Sequence, residues 1–423
     1  MPIITRRRMG GGWARVAPPA GFTWTPPVQV YESGGQFRAV PDLSAFEYVG
    51  AGKTYFVDPV GGNNAWPGTA AQPLQFIYTA FAKADVDIVL AKPGVYDRTN
   101  GWAGLTSTRS VTLKPWGAGR VVITAHHPGL AWTIDDSATY YTTRSAVLRV
   151  LDVSLTDGNG DYSELALQAN LAAVKANAGS WWLDGTTLWV HTADGRAPDV
   201  DIWPILNQTN GLANGNFITY VENVDFIGGT NAMRVTSSAE GQTPVAYFKN
   251  CSFQFASSGL AGISARGAAV YLQGCMAKAN SGDGFSYEVA NTIIPKGVEI
   301  SCLGRDNGTA DGVDNDNGSA MHSGGAVVRV KGLYYRNRGP NVADLDSLSW
   351  NLGCTAHTST ATVGAQPTNW MAANGLANAA MWLDRCLAYG TLYDLYTTSA
   401  GDALKYRNCG PFVLGGAGTM GPY

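Results

Sequence analysis

The sequence predicts an all-β solenoid, a parallel β-helix. Three observations carry that reading: a repeat with a period in the mid-twenties, the residue types inside each repeat, and the composition. The repeat runs from about residue 217 to 410, where short β-rich segments place Cys, Val or Gly at one internal position. The segments are YVENVDF around Val224, YFKNCSF with Cys251, YLQGCMA with Cys275, VEISCLG with Cys302, VRVKGLYY around Gly332, LGCTAHT with Cys354, MWLDRCLAY with Cys386 and LKYRNCG with Cys409. Successive cysteines lie 24, 27, 52, 32 and 23 residues apart, and the Gly332 segment divides the interval of 52. A period of this size marks a chain that stacks one unit on the next. The units carry Val, Ile, Phe and Tyr between Asn and Gly turns, not the leucine ladder and helix of a leucine-rich repeat. A chain of 423 residues with 52 glycines, 45% apolar and only 14% charged residues suits an elongated β solenoid better than packed α/β domains.

The composition also excludes some functions. A net charge of −3 gives no general attraction to nucleic acid, and no apolar run approaches a membrane span. The opening MPIITRRRMGGGW is basic but lacks an apolar export segment after it. Stacked parallel strands hold equivalent Cβ atoms near 4.8 Å, slightly too far for unstrained disulfides. The six cysteines are therefore expected as free, buried thiols in a protein made in a reducing cytoplasm.

Taken in order, residues 1–45 read as a separate arm. Arg6, Arg7 and Arg8, a glycine triplet and APPAGFTWTPP deny it a core of its own, so it is either a solvated tail or a segment that attaches to a partner protein. Residues 46–100 read as the first coil with its cap. YFVDPVGGNNAWPGTAAQPLQFIYTAFAKADVDIVLAKPGVYDR gives a strand ending at Asp58, a Gly/Asn loop, a short amphipathic helix around Leu74 to Ala84, a second strand at Asp87 to Leu90 and a turn at Pro93. This stretch resembles the opening segment of the pectate-lyase-like right-handed β-helix superfamily, in which a short helix covers the open end. Residues 101–415 would continue the solenoid. Within them 181–203, WWLDGTTLWVHTADGRAPDVDIW, reads as an inserted β-hairpin turning at Asp184 and Gly185, similar to inserts in β-helix proteins that act on or bind carbohydrates. Residues 416–423 read as a glycine-rich tail.

Candidate chemistry comes from the turns after the cysteine strands. Aligned on Asn and Gly, they read ANSGDGFSYE with Asp283, RDNGTADGVDND with Asp311, RNRGPNVADLD with Asp344 and AYGTLYD with Asp394. Adjacent coils would separate such carboxylates by about 5 Å and alternate coils by about 10 Å, near the two separations glycosidases use. Crowded carboxylates raise one another's pKa, as a general acid requires. The densest run, DGVDNDNGSAMHSGG, adds Asp316 and His322. The candidate catalytic set is thus Asp283, Asp311, Asp314, Asp316, His322 and Asp344. A competing expectation is that these acids only form turns. No cofactor is implied. The acidic run leaves calcium open, although it lacks the distal Glu of an EF-hand loop.

Sugar-binding candidates are Trp181 and Trp182 on the hairpin, Tyr287, Tyr334, Tyr335 and Trp350 on the coils, and Arg305 and Arg336 for an acidic sugar. Trp181, Trp182, Trp189 and Trp203 could equally pack the hairpin onto the solenoid. The block from Asp311 to Leu352, with DNGSAMHSGG, YYRNRGPNVADL and SWNLG, resembles virion-associated or phage-encoded β-helix proteins. That resemblance implies a tail or head spike that binds host surface polysaccharide, a homotrimer, and an N-terminal arm held by other virion proteins. Cleavage stays open at this point, with a glycosidase favoured over a lyase. The alternatives are a free depolymerase and a non-catalytic adhesive solenoid.

Overall fold

A computed structural model describes residues 12–102, 106–107, 109–257, 259–308, 315–362, 367–373 and 379–423. The described chain is a right-handed parallel β-helix built on three long parallel sheets of twelve, ten and nine strands. Each coil between the two ends gives one strand to each sheet. In the twelve-stranded sheet, Ile218–Glu222, Val245–Lys249, Ala269–Gln273, Lys296–Ile300, Ala326–Val330, Leu348–Leu352, Ala380–Asp384 and Ala403–Arg407 pair in series. These are the repeat segments read from the sequence.

One backbone device sets the period. After each of these strands a single residue turns the chain in the left-handed region: Asn223, Asn250, Gly274, Ser301, Lys331, Gly353, Arg385 and Asn408, all with φ between 51° and 62°. Asn and Gly tolerate that conformation best, which explains the Asn-Cys and Gly-Cys pairs in the repeat. The next side chain points inward. The six cysteines are free, and all but half-buried Cys409 are buried. Burial pushes the Cys251, Cys275 and Cys386 thiols well above the ordinary value. Where the coil next turns, the buried amides of Asn280, Asn307, Asn337, Asn341 and Asn369 bond end to end at 2.8 to 2.9 Å. The side-chain ladder at this turn is asparagine, not aspartate.

The cap is a helix at Ile77–Phe81, shorter than the expected Leu74 to Ala84. Its Ile77, Ala80 and Phe81 close the apolar core. Three expected boundaries change. The described part of the N-terminal arm has no core of its own, yet it is not separate: antiparallel strands Ala14–Val16, Gln29–Ser33 and Gln36–Val40 lie on the outer face of the twelve-stranded sheet. Phe22, Val30 and Phe37 pack on Trp350 and Trp382, and Val28 and Leu43 on Tyr220, Tyr247 and Tyr271. Arg6, Arg7 and Arg8 lie outside the described residues. The glycine-rich end also belongs to the solenoid, because Leu414–Gly416 and Thr419–Pro422 pair with the last full coil.

The insert is larger than one hairpin. It fills the chain between strands Val121–Thr124 and Gly211–Asn214 and contains two small, mainly antiparallel groups of strands. The expected hairpin is Ser180–Asp184 paired with Thr187–His191, whereas Trp203 belongs to Ile202–Leu206, which pairs with Val147–Thr156. Asp161 fastens the insert to the nine-stranded sheet by accepting two hydrogen bonds from Arg305 at 2.7 Å and pairing with Lys278. Trp203 stacks on His126 with centroids 4.4 Å apart.

Candidate functional site: a cleft on the ten-stranded sheet

The outward side chains of the ten-stranded sheet form the floor of a cleft of about 410 Å³. Three strands position it: Met233–Thr236, Ile263–Arg266 and Phe285–Glu288, paired in register. Along one outward row the register aligns Arg234, Ser264 and Ser286, and along the next Thr236, Arg266 and Glu288. In each strand the alternate residues, Val235, Ala265 and Tyr287, belong to the interior core. His322 follows Met321, whose partner across the sheet is Tyr287, so it lies beside Glu288 at the same edge. Loops carrying Gly259 to Ala261, Asp283, and Asn315 with Asp316 make the walls.

The cleft brings together three acidic and three basic side chains: Asp283, Glu288, Asp316, Arg234, Arg266 and His322. Asp283 accepts the Asn317 backbone N–H at 2.7 Å and faces His322 Nε2 at 3.9 Å. Burial works against charge on His322, but Asp283 outweighs it and raises the imidazole above its ordinary 6.5. Arg266 stands 3.4 Å from Glu288. Together these groups can supply a proton at neutral pH, a carboxylate base and cationic contacts in one open trough.

Of the expected catalytic residues, Asp283, Asp316 and His322 meet here. Asp311 and Asp314 lie outside the described residues. Asp344 does not reach the cleft. It is buried inside the solenoid, where Arg329 Nη1 and Nη2 donate to its two oxygens at 2.9 and 2.8 Å. Glu299 completes that interior cluster, 3.6 Å from Arg329 and bonded to Ser319 and Tyr334. Among the described residues no group of three His, Cys, Asp or Glu side chains is arranged to hold a metal.

The sugar-binding candidates divide in the same way. Tyr287 and Tyr334 are interior core, Trp350 lies beneath the N-terminal arm, and Trp181 packs with Leu188 and Val190 inside the insert. Trp182 is half-buried opposite Trp189. Arg305 is committed to Asp161 and Asp306. Arg336 is committed to Asp306, donating twice at 2.7 Å, and lies over the Tyr335 ring. Tyr335 continues outward into a stack with His357 and Tyr389, on a different sheet from the cleft. Arg234, Arg266 and Glu288 were missed by sequence reasoning, because only the register of the sheet aligns them.

Fold and site together define a parallel β-helix with a polar, charge-lined lateral cleft. No protein-family model and no curated protein matches the chain. Solved structures do. A glycoside hydrolase aligns at 10% identity and TM-score 0.52, covering 87% of this chain and 95% of its own. A pectate lyase aligns at 12% identity and TM-score 0.37, over 86% of this chain and 80% of its own. The tailspike protein of Pseudomonas phage LKA1 aligns at 11% identity and TM-score 0.20, over 78% of this chain and 69% of its own. At these identities the likeness is one of fold.

Proposed function

We propose that the protein binds polysaccharide in the cleft on its ten-stranded sheet and hydrolyses it, as the surface-glycan-engaging spike of a phage or phage-like particle. The observation that carries the reading is the convergence of Asp283, Asp316 and His322 in one open trough on a rigid sheet. Glycoside hydrolysis, for which one structural neighbour is named, fits that set. In this reading the His322 imidazolium, oriented by Asp283, gives its proton to the glycosidic oxygen as the C–O bond breaks. Asp316 takes a proton from the water that adds to the sugar carbon. Assembly as a homotrimer and attachment to other virion proteins through the N-terminal arm are parts of the same proposal. The described arm covers the twelve-stranded sheet, so subunits would meet through other faces.

The test is mass spectrometry of host surface polysaccharide after incubation with the protein. Fragments carrying one added water identify hydrolysis. Asp283→Asn, Asp316→Asn and His322→Gln should each lower turnover at least 100-fold with the fold intact. Turnover should fall as pH rises through the His322 pKa, which lies above 6.5. Unsaturated fragments without added water, or bound but uncut polysaccharide, would overturn the hydrolytic mechanism.

A further inference from the structure

The close ion pairs of the cleft leave one arginine out. Arg266 has Glu288 at 3.4 Å and His322 has Asp283 at 3.9 Å. Arg234 has no ion-pair partner among the described residues, and its Nε is buried without an acceptor. The Arg234 side chain is half-buried in the cleft floor beside a second arginine; burial first and then Arg266 lower its pKa, and Glu288 acts less strongly in the opposite direction. A guanidinium Nε that is buried without an acceptor carries a desolvation cost that nothing in the free protein offsets. A bound anion would relieve that cost, because guanidinium geometry matches a carboxylate or other oxyanion bidentately.

We infer that Arg234, supported by Arg266, forms an anion-binding subsite, so that the cleft takes a polysaccharide with an acidic substituent on the sugar it grips. That the anion is carried by a sugar rests on the proposed function, whereas the anion site stands on the arginines. Neighbouring Ser264 and Ser286, aligned with Arg234 on the same outward row, offer hydroxyls beside the anion. The substituent could be a carboxylate or a sulfate ester, and the two share this recognition chemistry.

The experiment titrates the full-length protein with methyl glucuronoside, methyl glucoside and glucose 6-sulfate, following the Arg234 Nε–Hε resonance assigned with Arg234→Lys. The expected result is a saturable shift with at least one anionic probe and none with methyl glucoside, and the responding probe distinguishes carboxylate from sulfate. In parallel, Arg234→Gln should weaken binding of the acidic polysaccharide at least ten-fold. It should leave binding of the carboxyl-reduced or desulfated polysaccharide unchanged. No shift with either anion, or equal affinity of parent and Arg234→Gln for the acidic polymer, overturns the inference. An anion-dependent shift with no polysaccharide bound or cut would leave the subsite standing and remove the carbohydrate reading.

Discussion

Arg329→Met is the sharpest test of the interior charge cluster. Arg329, Glu299 and Asp344 are completely buried, so the substitution leaves two carboxylates in the core without their cation. Breaking a buried pair by removing one partner costs about 3–5 kcal/mol. For 423 residues unfolding as one unit, the entropy near the midpoint is about 0.9 kcal/mol/K, and a 3–5 kcal/mol loss lowers Tm by about 3–6 °C. Local unfolding of a few coils would make the shift larger. The assay is denaturant and thermal unfolding at pH 7. Adding Glu299→Gln and Asp344→Leu should recover most of the loss. A variant within about 1 kcal/mol of the parent would refute the reasoning. Asp344→Asn in the parent keeps the Glu299–Arg329 pair, and turnover per folded molecule should not change.

Three further expectations follow from packing. Trp350→Ala removes the indole on which Phe22 and its neighbours rest, so it should cost about 3–5 kcal/mol, and limited proteolysis should cut first within residues 13–47. Asp161→Asn leaves Lys278 and Arg305 without the carboxylate that joins them to the insert, costing about 3 kcal/mol. Hydrogen exchange should then accelerate in the insert, while the coils from Lys296 onward keep their protection. The thiols should be inert in the native state: labelling with a thiol reagent at pH 8 should modify half-buried Cys409 first and all six only after denaturation, because the other five are buried away from the reagent.

The solenoid was legible because one position repeats under two constraints at once. The residue before each cysteine takes a positive φ and the cysteine fits the interior, so Asn-Cys or Gly-Cys marks four of the eight places where a coil leaves the twelve-stranded sheet, at Cys251, Cys275, Cys354 and Cys409. The arm was not legible in the same way. Its apolar residues, Phe22, Val28, Val30 and Phe37, are spaced by prolines and glycines and find their core on another part of the chain. Nothing local in the sequence signals a face that lies hundreds of residues away. The insert obeys an antiparallel period of its own, so the mid-twenties repeat could not find its limits.

The site failed to align for a different reason. Anchoring the turns on Asn was sound, since Asn280, Asn307 and Asn337 do stack, but the acids lie at different distances from that anchor. Asp283 precedes the strand Phe285–Glu288 and faces the cleft, while Asp344 falls within Val342–Leu345 at a position whose side chain points inward. A shift of one residue along a strand exchanges core for surface, so an acid near a turn cannot be assigned to a face without the register. Arginine shows the consequence most clearly. Arg329 and Arg234 are both strand residues followed by valine, yet one points inward to two carboxylates and the other points outward with no ion-pair partner among the described residues. The inward arginine is neutralised by its own chain and holds the coil together. The outward one is left to be neutralised by whatever the cleft binds.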